Sequence, residues 1–148
     1  MAKTTRRRSR MAWNAQLPTS LGMPKDSIEA AHLVQRGLTF RRLQDFQEAS
    51  GLSLEQISRV ASISARTLSR RQEEGRLKSD ESDRLVRVAR VFDLAVGLFE
   101  GDRAGAREWL EKPQAALGGE VPLEFSSTDV GAREVEKLIA RLEHGILS

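Results

Sequence analysis

The chain has no cysteine, no tyrosine and only two histidines. Without cysteine, neither a disulfide nor a thiolate metal site is possible. That fits a reducing compartment such as the cytoplasm. The histidines, His32 and His144, lie in different segments and show neither H-x-x-x-H nor H-E-x-x-H spacing, so they predict no metal site. No G-x-S-x-G turn or phosphate-loop pattern occurs, and Gly101 and Gly105 are too sparse to cradle a phosphate. The residues therefore predict neither an enzyme nor a bound cofactor. Long apolar runs are lacking as well: none approaches the roughly 20 residues that cross a bilayer. The basic N-terminus is followed by no apolar stretch, so it does not read as a secretory signal. No segment alternates apolar and polar residues as a strand does, and the chain reads as all-α.

What is present is an ordinary globular composition, 39% hydrophobic and 30% charged over 148 residues. That length allows one domain with a real core, or two small ones sharing an interface. The net charge of +3 conceals a gradient. Residues 1–50 hold nine Lys and Arg against four Asp and Glu, residues 51–90 nine against six, and residues 91–148 six against eleven. A basic front suits a polyanion such as DNA. An acidic back suits a basic surface on another protein.

Residues 1–25 read as a basic, flexible arm. "KTTRRRSR" carries Lys3, Arg6, Arg7, Arg8 and Arg10 without an acid, and Pro18 and Pro24 break any helix that follows. Such an arm either lies on phosphates or in a minor groove, or is simply solvated; Trp13 is its one large apolar residue. Residues 26–100 then carry dense helix signals. Asp26 and Glu29 start a helix and Gly37 stops it, Leu38, Phe40, Leu43 and Phe46 recur at near-helical spacing, and Gly51 ends that stretch. Ser53 and Gln56 form a capping box, and Ser64 caps the next helix. Ser79 is the expected cap of a long helix, on which Leu85, Val88, Ala89, Phe92, Ala95, Val96 and Phe99 make one apolar stripe. In residues 101–148, Asp102 opens a short helix stopped by Pro113. Thr128 opens a last one with Val130, Val135, Leu138, Ile139 and Leu142 on one face and Gly145 as its stop.

The segment from Leu54 to Glu73 has the pattern of a helix-turn-helix. Leu54, Ile57 and Ala61 supply the buried face of the first helix, Ile63 the apolar plug of the turn, and Leu68 the buried middle of the second. A step of roughly 100° per residue puts Arg66, Ser69, Arg70 and Glu73 away from the core, with Thr67 on the flank and Arg71 near the buried edge. Arg71 is therefore expected to pair with an acid or cap a carbonyl. Arg66 and Arg70 have the chemistry to grip guanine bidentately, and Ser64 or Thr67 to touch a phosphate or a thymine methyl. Arg41, Arg42 and Arg59 are phosphate candidates. Two features depart from the pattern: Ser62 stands in the turn where Gly is common, and Glu73 and Glu74 put negative charge at the far end of the reading helix. The competing reading is a helical hairpin with a solvated basic face.

Two blocks are more specific than their parts: "GLSLEQISRVASISARTLSRRQEEGRLKSDESDRLVRVARVFDLAVGLF" and "AREWLEKPQAALGGEVPLEFSSTDVGAREVEKLIARLEHGIL". Through Ser64, Arg66, Thr67, Leu68, Arg70, Arg71, Gly75, Leu77, Glu81, Ser82, Arg84 and Leu85, and then Trp109, Leu110, Pro113, Leu117, Gly118, Gly119, Pro122, Leu123, Gly131, Val135, Leu142 and Gly145, residues 27–148 resemble the Xre/MbcA/ParS antitoxins, neutralising partners of RES-domain toxins. The resemblance implies an Xre-like helix-turn-helix half in residues 26–100 and a helical toxin-binding half in residues 101–148. It also implies a homodimer, repression of its own operon through operator DNA, and occlusion of a toxin that attacks NAD+. On that reading Trp109, Pro113, Leu117, Gly118, Gly119, Glu143, His144, Gly145 and Ile146 are the toxin-binding candidates. Glu134, Glu136, Glu143 and the carboxylate of Ser148 supply negative charge for a basic toxin pocket. Trp109 is either an interface anchor or a core residue, and Gly118-Gly119 either admits a partner's backbone or simply makes a tight turn. The tail "LEHGILS" either inserts into a cleft or frays. Two alternatives stay open: a stand-alone helix-turn-helix regulator whose C-terminal half dimerises or senses a ligand, and an antitoxin whose helix-turn-helix serves only as scaffold.

Overall fold

Polar caps fix where the helices begin. The computed structural model describes residues 17–145, and among these the regular structure is helical apart from two isolated bridges, Thr39 with Arg76 and Gln114 with Glu120. A 3₁₀ turn at Thr19–Leu21 leads to α1 (Ser27–Arg36), α2 (Phe40–Ser50), α3 (Leu54–Val60), α4 (Ala65–Glu74) and α5 (Ser79–Leu98). Then come α6 (Arg103–Leu110), a second 3₁₀ turn at Ala115–Leu117, α7 (Pro122–Phe125) and α8 (Asp129–Glu143). Asp26 accepts from the Ile28 amide at 2.9 Å, Ser64 from Thr67 at 3.1 Å, Asp102 from Gly105 at 3.0 Å and Thr128 from Gly131 at 3.0 Å. Ser53 and Gln56 complete both halves of their capping box, at 3.0 and 2.9 Å. Each bond satisfies an amide that the helix start leaves open.

The cap of α5 differs from expectation. Ser79 is already helical, and Lys78 stands at the cap position. The Glu81 carboxylate reaches back instead and accepts the Lys78 amide at 2.9 Å. A carboxylate three residues inside a helix serves the open amide as well as a serine before it, and it favours the positive end of the helix dipole.

α5 is the beam of the structure: α1, α2, α3, α6 and α8 all pack on it. The expected stripe is buried at Leu85, Val88, Ala89, Phe92 and Ala95, while Val96 and Phe99 are half-buried. Val91 and Leu94 are buried too, outside the single stripe the sequence suggested. Neighbours on several sides, not one, cover this helix. Phe46 of α2 meets Phe92 edge to face, with ring centroids 5.8 Å apart.

The two halves share one core. Ala106, Leu110, Leu123, Ala132, Val135 and Ile139 belong to the same buried cluster as Leu43, Phe46, Ile57 and Leu85. A division at residue 100 therefore does not separate two independent cores. The arm expected over residues 1–25 also reaches less far into the chain. Leu21 is buried, and Arg42 donates to the carbonyls of Leu21 and Gly22 at 3.1 and 2.6 Å. The basic cluster from Lys3 to Arg10, and Trp13, lie outside the described residues.

The ion pair that joins α4 to α5 is buried. Arg71 Nε and Nη2 donate to the two carboxylate oxygens of Glu81 at 2.8 and 3.0 Å, and Nη1 donates to Glu74 at 3.1 Å. The sequence expectation that Arg71 finds an acid is met here. Burial pushes the Glu81 carboxyl up, but the Arg71 hydrogen bonds, the Lys78 amide and the Arg71 charge outweigh it, holding Glu81 below the ordinary carboxylate value. Replacing Glu81 by glutamine is expected to lower the thermal unfolding midpoint by several degrees, because it leaves a buried guanidinium short of its partner. A depressed folded pKa contributes stability that is full above the unfolded value, roughly 4.3, and is lost as pH falls through the folded one. The advantage of the wild type over Glu81→Gln should therefore shrink in melts run at successively lower pH below that value; an advantage constant into acid would contradict it.

Candidate nucleic-acid interface and partner-binding face

The helix-turn-helix is built by α3, the turn Ala61–Ser64 and α4. Ile57, Ala61 and Ile63 are buried, as the apolar spacing predicts, whereas Leu54 and Leu68 are only half-buried, and Val60, outside that spacing, is buried too. Ser62 holds the turn in the left-handed region at φ 57°. Glycine adopts that conformation without cost, and a serine is strained there. The turn is braced from below. Arg84 Nε donates to the Ala61 carbonyl at 2.6 Å, and Nη2 donates to Ser62 O at 3.4 Å. Glu81 and Arg84, three residues apart on α5, thus hold α4 at both ends. The bracing role of Arg84 was not legible beforehand, because its partners are backbone carbonyls some twenty residues earlier.

This clamp leaves a defined strip outward. Arg66, Ser69, Arg70 and Glu73 are exposed, and Thr67 is half-buried. Among the described residues, Arg66 and Arg70 take part in none of the ion pairs within 4 Å. Their guanidiniums are open to an outside acceptor. Ser64 is committed locally: its oxygen accepts the Thr67 amide, and its hydroxyl donates to Thr67 Oγ1 at 3.0 Å. The acidic end of α4 is partly neutralised, since Glu74 pairs with Arg71, while Glu73 has no ion pair among the described residues.

The three other cations are not equivalent. Arg41 is exposed with an i, i+4 partner in Asp45 at 3.1 Å. It follows Phe40, whose amide donates to the Gly75 carbonyl, so its backbone lies near the C-terminal end of α4. Arg42 is spent on the Leu21 and Gly22 carbonyls and is half-buried, so it is a tether of the N-terminal turn and not a free phosphate contact. Arg59 is held by Glu124 through two bonds of 3.1 and 2.6 Å. A partner 65 residues away leaves no local signal in the sequence.

The second face surrounds the end of α6. Trp109 is half-buried and tilts against Phe99, centroids 6.4 Å apart, so it combines core packing with an open edge. Gln114 Nε2 donates to the carbonyls of Trp109 and Lys112 at 3.1 and 3.2 Å, closing the helix end. Gln114 and Glu120 then bridge across a tight loop. At its tip Gly118 and Gly119 have φ of 67° and 89° and open space where a side chain would stand. Pro113 is exposed, Leu117 half-buried, and the second 3₁₀ turn packs against α8. At the far end of α8, burial raises the Glu143 carboxyl above its ordinary value, with the His144 charge opposing. His144 and Gly145 are exposed, and Ile146 lies outside the described residues. Gly131 shows why the α7–α8 corner needs glycine: a Cβ there would run into the Phe125 carbonyl oxygen.

Comparison with known proteins assigns both halves. Residues 29–90 match the antitoxin Xre-like helix-turn-helix domain, and residues 94–145 match the antitoxin Xre/MbcA/ParS C-terminal toxin-binding domain. A protein named Antitoxin Xre from Photorhabdus laumondii is 38% identical over 133 residues, covering 87% of this chain and 88% of that protein. The chain belongs to the Xre antitoxin family. A second Antitoxin Xre, from Yersinia enterocolitica, is 44% identical over 94 residues, 63% of this chain and 64% of its own. A third, from Pseudomonas putida, is 34% identical over 90 residues, 60% of this chain and 56% of its own. The two antitoxin domains meet inside α5, between residues 90 and 94. The clamp on α4 thus belongs to the helix-turn-helix domain, and the Trp109 loop and α8 belong to the toxin-binding domain. No helix among the described residues is long and apolar enough to cross a membrane.

Gly131→Ala is expected to cost about 2–3 kcal/mol in urea unfolding, the upper range for overpacking, because the obstructing atom is backbone. The same change at Gly97, where an added Cβ meets nothing, should be neutral or slightly stabilising.

Proposed function

We propose that this antitoxin neutralises a RES-domain, NAD-degrading toxin by laying its C-terminal face over the toxin's active site, and that as a homodimer it represses its own operon. The observation that carries the proposal is the joint match of both antitoxin domains over nearly the whole chain. The exposed Pro113, the open Gly118-Gly119 tip and the His144–Gly145 end of α8 offer the toxin-facing surface, with Trp109 as a half-covered anchor. Acidic side chains around them favour a basic pocket such as one that binds dinucleotide phosphates. For DNA, α4 enters the major groove with Arg66 and Arg70 on base edges, Ser69 and Thr67 beside them, and Arg41 on phosphate. A dimer presents two such helices to paired half-sites. Both roles belong to the cytoplasm and need no cofactor, and the chain acts by binding, not by catalysis.

The test is co-expression of the full chain with the product of the adjacent open reading frame. Full-length variants are preferable to a truncation, since the halves share a core. The wild type is expected to co-purify with the neighbour and rescue growth. The exposed pair Pro113→Arg with His144→Arg should weaken capture roughly tenfold or more, because it sets positive charge against a basic pocket, while DNA binding persists. Arg66→Gln or Arg70→Gln should each lower affinity for the promoter region about ten- to a hundredfold, the worth of a bidentate guanine contact, with toxin capture intact. A harmless neighbour that forms no complex would overturn the antitoxin proposal, and promoter binding untouched by both arginine variants would remove α4 as the reading helix.

A further inference from the structure

We infer that Glu124 is a built-in competitor for DNA phosphate, which holds Arg59 of the helix-turn-helix and so ties DNA affinity to the state of the toxin-binding half. The inference rests on the DNA-binding reading of α3 and α4. The first helix of such a motif crosses the DNA backbone. In α3, LEQISRV, Arg59 is the one cation available for that crossing. Within α3 and α4 it is also the cation that the C-terminal half engages. Arg59 Nε and Nη2 grip both oxygens of Glu124, and three residues earlier Gln56 Nε2 donates to Glu111 at 2.7 Å. One outward edge of α3 is thus occupied by carboxylates from α7 and the end of α6.

A brace is not needed at this place, because the halves already share a buried core. The pair is also unsuited to bracing: its side chains keep 49% and 43% of their exposure, and half-exposed pairs contribute little to stability. What the geometry does instead is satisfy a planar guanidinium with the same two-oxygen fork that a phosphate offers. Arg59 cannot serve both acceptors fully. A basic partner surface that draws Glu124 away frees Arg59 for DNA, and by linkage DNA that captures Arg59 leaves Glu124 to the partner.

The experiment is a fluorescence titration of full-length protein with a duplex spanning the chain's own promoter, repeated over a range of salt. Wild type, Glu124→Gln, Arg59→Gln and the double variant are compared. Glu124→Gln is expected to tighten binding about two- to fivefold at low salt and to steepen the log–log salt slope by about 0.9, one added phosphate contact. In the Arg59→Gln background the same change should leave the slope alone. A Glu124→Gln slope equal to wild type, or a gain that survives without Arg59, overturns the inference while leaving DNA reading by α4 standing. Wild-type protein that fails to bind the duplex overturns both. Both residues are exposed, Glu124→Gln is near isosteric and Arg59→Gln shortens an exposed side chain, and matched thermal melts are expected to show that folding is not what moves.

Discussion

Arg71 and Glu81 have each lost nearly all their water, and the arrangement of α4, the second helix of the helix-turn-helix, depends on that loss. A buried pair of this kind adds little net stability over apolar side chains of the same volume, because desolvation offsets much of the attraction. Its value is directional. Two parallel hydrogen bonds fix the angle between α4 and α5, and the Lys78 amide fixes the carboxylate itself. With Arg84 holding the turn at the other end, α4 has little freedom to roll about its axis. Arg66, Ser69 and Arg70 point outward because Arg71 is pinned inward.

The same helix α5 that anchors the reading helix also carries the partner-binding half. The basic and acidic stretches of the sequence are therefore joined through one helix, on which α1, α2, α3, α6 and α8 all pack. Arginines cross between the two: Arg107 Nη1 donates to the Gly51 carbonyl at 3.4 Å, Arg87 to Ser127 at 2.8 Å and Arg90 to Glu136 at 3.1 Å. Of the two halves, the C-terminal one is acidic in sequence, yet part of that acidity is consumed inside the molecule. Glu136 and Glu124 face their own chain's arginines, and the negative charge left for a partner comes from fewer side chains than a count suggests.

Local signals proved readable and distant ones did not. Capping residues such as Ser53, Ser64, Asp102 and Thr128 act within three residues of themselves, so spacing alone locates them. The buried position of Arg71 followed from the helical wheel through Leu68. Ser79 misled because a serine before an acidic first turn looks the same whether it caps or is the first helical residue. Arg42 and Arg59 looked like free surface cations, since nothing near them in sequence reveals the Leu21 carbonyl or Glu124 as partners. Within the toxin-binding half, the motif residues were legible as a family block, while the reason for Gly131, a carbonyl six residues earlier, needed the folded corner.

The meeting of the two antitoxin domains inside a single helix bears on how such proteins diversify. Recombination between relatives that brings a new toxin-binding domain to an old helix-turn-helix domain must splice within α5. The fused helix then has to satisfy α2 through contacts such as Phe46 with Phe92 and, further along, α6 and α8 as well. Exchanges are therefore expected to succeed between sequences already matched along this one surface, so that the two domains are inherited together more often than two separate folded units would allow.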